Sequence, residues 1–159
     1  MTGGENDPDI RFRFGHDARA IRQARESLDP LLCDPDDVIA DDVRLATSEM
    51  VTNVILHTEG GGELRAWDPR PDVPLRVEVE DGDKAPPVTP DHPPAIGGRG
   101  LAIVAAVSDQ WGYERRRNGK VVWAEFDRQK RQQTQLNDES GEPSGQELRS
   151  RGLAPRQQP

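Results

Sequence analysis

Glu49 and Asn53, in the stretch ATSEMVTNVILHT (46–58), stand four positions apart, and His57 follows at the same interval. Four residues advance an α-helix by roughly 400°, so each step drifts only about 40° around the axis. The three side chains form one slowly turning column of hydrogen-bonding groups. Met50, Val51, Val54 and Ile55 mark an apolar stripe, with Val43, Met50 and Val54 at its centre and the column along its edge. That is where a core ends and a cleft can begin. A solvated helix flank has the same pattern. Asp81 closes the alternating stretch RVEVED and precedes Gly82. A carboxylate there can accept a hydrogen bond from an exocyclic amine, and a neighbouring glycine lets a flat ring approach the backbone. Asp-Gly is equally a common turn. Gly98, Arg99 and Gly100 come directly before the apolar run that starts at Leu101. Glycines ahead of a helix let exposed N–H groups surround a phosphate, with the helix N-terminus adding positive partial charge. Arg99 can add a direct charge contact. The run does not follow a strand in a βαβ unit and lacks a following Lys-Ser/Thr, so neither a dinucleotide fold nor a P-loop is supported. Alone, it also reads as a plain flexible loop.

These groups need elements to position them. IRFRFG (10–15) has the period-two alternation of a half-buried strand. Asp17 can cap a helix through about Leu28, and Asp36 or Asp37 a longer one to about Thr58, stopped by the glycines after Glu59. Two alternating segments, 63–69 and 75–81, read as strands joined by a proline-containing turn. Residues 82–97 hold five prolines and cannot be regular structure. A helix is predicted from the glycines through Leu101, Ile103, Val104 and Val107. A hairpin follows, with one strand through Tyr113, a turn at Asn118–Gly119 and a second strand over Lys120–Phe126. Residues 1–9 and 128–159 are predicted disordered, which leaves 10–127 as the folded domain. The expected fold is an α/β (α+β) two-layer sandwich, with helices on one face of a mixed, mostly antiparallel sheet.

Composition narrows the function. The 159 residues suit one domain with tails, and 33% hydrophobic against 31% charged residues fits a compact core diluted by its ends. A net charge of −8 argues against a nucleic-acid-binding face; a basic protein partner, or simple solubility, fits it better. The single cysteine, Cys33, excludes an internal disulfide, and no metal-ligand spacing surrounds it. With no signal peptide or long apolar run, the chain is expected to be cytoplasmic and not membrane-bound.

In order and spacing the three patches resemble the GHKL ATPases, the superfamily of gyrase, Hsp90, histidine kinases and MutL, which share the Bergerat ATP-binding fold. Glu49-x-x-x-Asn53 resembles the N-box, Asp81 with Gly82 the G1 box, and Gly98-Arg99-Gly100-Leu101 the G2 box. Within the superfamily the chain is most similar to the small stand-alone anti-sigma-factor serine/threonine kinases (RsbW-like). SEMVTNVILHT, VEVEDGDKAPP, GGRGLAIVAAVSDQWG and GKVVWAEF carry that likeness in sequence order, and it covers 10–127.

The resemblance implies ATP and Mg²⁺ as ligands. Asn53 would hold Mg²⁺ against the phosphates, and Glu49 would be the general base for the attacking hydroxyl. Asp81, beside Gly82, would accept the adenine amino group. Gly98 and Gly100 would approach the phosphates, with Arg99 as an electrostatic helper and Leu101 completing the box. His57 would lie near the nucleotide without a catalytic role. The implied partners are a sigma factor and an anti-anti-sigma (STAS) protein. Dimerisation is common in that family, and a homodimer contact would fall at the first strand and helix. The chain departs from the pattern at Asp83, where the G1 box often has a second glycine, and in its short, proline-rich lid. A module that grips a partner without phosphorylating it is the alternative.

Overall fold

Ile10, Phe12 and Phe14 alternate with Arg11 and Arg13 and form strand β1 (Ile10–Phe14). The computed structural model describes residues 7–69, 72–81, 98–117 and 119–140. Four further strands occur in it: β2 (Gly62–Trp67), β3 (Leu75–Asp81), β4 (Gln110–Arg116) and β5 (Gly119–Phe126). They form one sheet in the order β1-β2-β3-β5-β4. Every pairing is antiparallel, in keeping with the mixed, mostly antiparallel sheet expected from the sequence. β3 and β4 do run in the same direction, but β5 lies between them and pairs antiparallel with both.

The pleat sends alternate side chains to opposite faces. Leu64, Ala66, Val77, Val79, Ala124 and Phe126 are buried on one of them. Helix α2 (Ala40–His57) lies across that face and packs against both α1 (Arg19–Ser27) and α3 (Gly98–Val107). Its buried residues, including Val43, Ala46, Met50, Val51 and Val54, recur at spacings of three and four and meet the sheet in one core. Each large apolar side chain so buried stabilises the fold by about 1.5–3 kcal/mol. The result is the expected two-layer α/β sandwich.

The other face of the sheet carries charge. Glu63 accepts from Arg11 at 3.1 Å and Arg13 at 2.7 Å. Burial alone would raise the Glu63 carboxyl, but these arginines hold it below the usual carboxylate range. Arg76 reaches Glu125 at 2.7 Å and lies 4.3 Å from the centre of the Trp123 ring.

Local chemistry sets the helix ends. Asp17 Oδ1 accepts the Arg19 N–H at 2.8 Å and opens α1. α2 begins at Ala40, three residues after Asp37, whose carbonyl oxygen accepts the Ala40 N–H at 3.1 Å and whose Oδ1 accepts the Ile39 N–H at 3.3 Å. At the far end of α2, Gly61 (φ 69°) reverses the chain into β2, and a side chain there would collide with the Phe14 carbonyl oxygen.

Disorder was predicted from residue 128 onward. Over Arg128–Ser140 the chain forms helix α4 instead. Charge docks it. Arg128 lies 2.9 Å from Asp37 and 2.8 Å from Asp68, whose carboxylates are almost wholly buried. Arg131 binds Asp42, Asp109 and the Val107 carbonyl, and Lys130 lies 3.1 Å from Asp109. Burial would raise the Asp109 carboxyl, yet the Asp127 N–H with Lys130 and Arg131 holds it below its ordinary value. A search for apolar periodicity does not find a helix anchored by guanidinium groups. Gly82, Asp83, the rest of 82–97, Asn118, residues 1–6 and 141–159 lie outside the described residues.

Candidate active site

α2 presents Glu49 and Asn53 one turn apart, both half-buried. Gly100, the third residue of α3, packs against them. A Cβ on Gly100 would stand 3.1 Å from Glu49 Oε2 and 3.2 Å from Asn53 Oδ1, closer than ordinary contact. The backbone of the first turn of α3 therefore lies so close to the carboxylate and amide that any side chain at position 100 would displace them by a few tenths of an ångström. The first N–H groups of any helix lack intrahelical acceptors and carry its positive partial charge. In this fold those donors sit beside an acidic and an amide side chain.

Asp81 ends β3, opposite Gly62 of β2 on one side and Lys120 of β5 on the other. It shares the helix-covered face with Val77 and Val79, and its side chain is 3% exposed. Lys120 Nζ lies 3.3 Å from Asp81 Oδ2. Val54, next in the chain to Asn53, has Cγ1 3.3 Å from where a Gly62 Cβ would be. This brings the C-terminal half of α2 over the Asp81 end of the sheet. The motif residues gather at that end, and the Arg128 clasp closes the other.

Some expected residues take different places. His57 closes α2 with an exposed side chain, and Arg99 is exposed on α3. Leu101 is half-buried and packs against the core, where it anchors α3. Gly98 starts α3. Sequence reasoning passed over Lys120, because only the β3–β5 register puts it opposite Asp81; its place just after the Asn118–Gly119 turn was the available clue.

A groove of about 520 Å³ lies between α2 and α1, lined among others by Arg22, Arg25, Asp29, Asp41, Arg44 and Leu45. None of the motif residues lines it. Much of its charge is paired, Arg22 with Glu26 and Arg44 with Asp29. A carboxylate, an amide and a helix N-terminus converge instead where α2 meets α3.

That donor set fits a magnesium nucleotide. Mg²⁺ takes one or two protein oxygens and completes its octahedron with water and phosphate oxygens, a demand the Asn53 amide oxygen can meet, with the Glu49 carboxylate one turn away. A helix N-terminus suits phosphate, and a buried carboxylate suits an exocyclic amine.

The histidine kinase-like ATPase domain family matches residues 14–126. The chain belongs to that family. As a histidine kinase-like ATPase domain it falls within the GHKL superfamily that its three motifs resemble. The catalytic domain of the histidine kinase ThkA, in a nucleotide-free form, is similar at 18% identity over 74% of this chain and 94% of that one, with a TM-score of 0.45. No curated protein matches the chain. Among the described residues, no helix of this ATPase domain is long and apolar enough to cross a membrane.

Proposed function

We propose that this domain binds Mg-ATP where α2, α3 and the Asp81 end of the sheet meet, and transfers the γ-phosphoryl group to a serine or threonine hydroxyl of an anti-anti-sigma (STAS-type) partner. In the same reading it sequesters a sigma factor, and its acidic charge suits a basic segment of that factor. Two copies would meet through β1 and α1.

The observation that carries the nucleotide reading is the approach of Gly100 to Glu49 and Asn53. Bound Mg-ATP supplies the transferable phosphoryl group and neutralises charge on its oxygens. The Asn53 amide oxygen would hold the cation, and the Glu49 carboxylate would accept the proton of the attacking hydroxyl. Backbone N–H groups at Gly98 and Gly100 would donate to the phosphates, and Asp81 would accept a hydrogen bond from the base. Phosphoryl transfer depends on positioning and charge more than on covalent help, so this small set suffices. The serine/threonine specificity and the partners rest on the sequence likeness to anti-sigma-factor kinases.

Incubation with labelled ATP and candidate STAS proteins, wild type against Glu49→Gln, tests the reading. Label should move to a serine or threonine of the partner with wild type only, while both proteins bind ATP. Equal transfer by Glu49→Gln would remove the assignment. Asp83 in place of a glycine favours a second reading, a nucleotide-binding module that holds its partner without phosphorylating it. Tight partner binding by wild type with no transfer to any candidate would support that alternative.

A further inference from the structure

We infer that Lys120 is a second base-reading residue, which with Asp81 makes a donor–acceptor pair for the Watson–Crick edge of adenine. The inference rests on the nucleotide reading above and goes beyond it by assigning a residue that none of the three motifs contains. Asp81 and Lys120 are direct register partners on β3 and β5. Both lie on the helix-covered face, by the alternation that buries Val79 and Val122. Lys120 Nζ stands 3.3 Å from Asp81 Oδ2, with side chains 15% and 3% exposed.

Bringing a lysine ammonium this far under the helices carries a desolvation cost. The Asp81 carboxylate offsets part of that cost. A carboxylate only accepts hydrogen bonds and an ammonium only donates them. Adenine presents the complementary order on one edge, an amino donor on C6 beside the acceptor N1. With the amino group on Asp81, a ring whose N1 turns toward β5 would meet the Lys120 ammonium as its donor.

The test is binding by calorimetry, with wild-type protein and Lys120→Met. The ligands are Mg-ATP, its 1-deaza analogue, which lacks the ring acceptor, and its 6-deamino analogue, which lacks the amine. Wild type should bind the 1-deaza analogue about tenfold more weakly than ATP, because the Lys120 ammonium loses its ring acceptor and keeps only Asp81. Lys120→Met should bind ATP and the 1-deaza analogue alike, yet still prefer ATP over the 6-deamino analogue. A merely structural lysine would weaken all three ligands together. The wild-type comparison stands even if the variant folds poorly. Equal wild-type affinities for ATP and 1-deaza-ATP would overturn the role of Lys120 and leave the nucleotide reading intact. Failure of wild type to bind ATP at all would overturn both.

Discussion

Replacing Gly100 by alanine sets stability against binding, and the structure supplies the size of each effect. Gly100 is the third residue of α3, and alanine exceeds glycine in helix propensity by about 1 kcal/mol in a helix interior. Against that gain, the new methyl carbon would lie 3.1 Å from Glu49 Oε2 and 3.2 Å from Asn53 Oδ1. Both atoms belong to side-chain ends that can withdraw by a few tenths of an ångström at small cost. Without ligand, Gly100→Ala should therefore range from neutral to about 1 kcal/mol more stable. Binding should move the other way. The groups that must retreat are the ones proposed to meet the cation and the attacking hydroxyl, and losing one charge-assisted contact costs about 1.5–3 kcal/mol, roughly ten- to a hundredfold in affinity. Chemical denaturation of the ligand-free protein measures the first effect. The second is read from the stabilisation by Mg-ATP, which for a tenfold weaker site falls by about 1.4 kcal/mol at saturating ligand. A variant that binds Mg-ATP within about twofold of wild type, or that loses more than about 2 kcal/mol without ligand, would refute the reasoning.

Other consequences follow from the same contacts. Arg128→Met keeps the aliphatic stem but takes the guanidinium from two buried carboxylates, Asp37 and Asp68. It should destabilise the fold by about 3 kcal/mol, or roughly 10 °C in Tm, with loss of helical circular dichroism as α4 undocks. An unchanged Tm would contradict the clasp. Gly61→Ala places a side chain at positive φ against the Phe14 carbonyl, and should cost more than about 1 kcal/mol in urea unfolding; a neutral result would contradict the turn. Asp109 and Glu63 titrate below their ordinary values. Their contribution is present above the unfolded carboxylate range and lost as pH falls through their lower folded values, so a pH series of Tm should decline below about pH 4. A flat acid limb would contradict those ion pairs.

Legibility in the sequence followed the kind of force at work. Period-two alternation marked β1 and β3 because one face of the sheet is apolar and the other charged, and α2 announced itself through Met50, Val51 and Val54. The start of α2 was misplaced at Asp36 or Asp37, since Asp37 makes a turn and receives Arg128 from far along the chain. The same long-range pairing hid α4, which is almost wholly polar and docks by charge. At the site, the spacing of Glu49 and Asn53 was readable as a local helical fact. The packing of Gly100 against them was not, because it depends on how α3 crosses α2. The Asp81–Lys120 pair needed the β3–β5 register. His57 continued the column in sequence, but it falls on the last residue of α2, with its side chain exposed.

The central claim is a nucleotide pocket built from Asp81, Glu49, Asn53 and the start of α3. Calorimetric titration of Mg-ATP into wild type, Asp81→Asn and Asn53→Ala tests it most directly. Wild type should bind in the micromolar range, Asp81→Asn should lose that binding, and Asn53→Ala should bind more weakly and with less dependence on magnesium. Absence of binding to wild type, or undiminished affinity in Asp81→Asn, would contradict it.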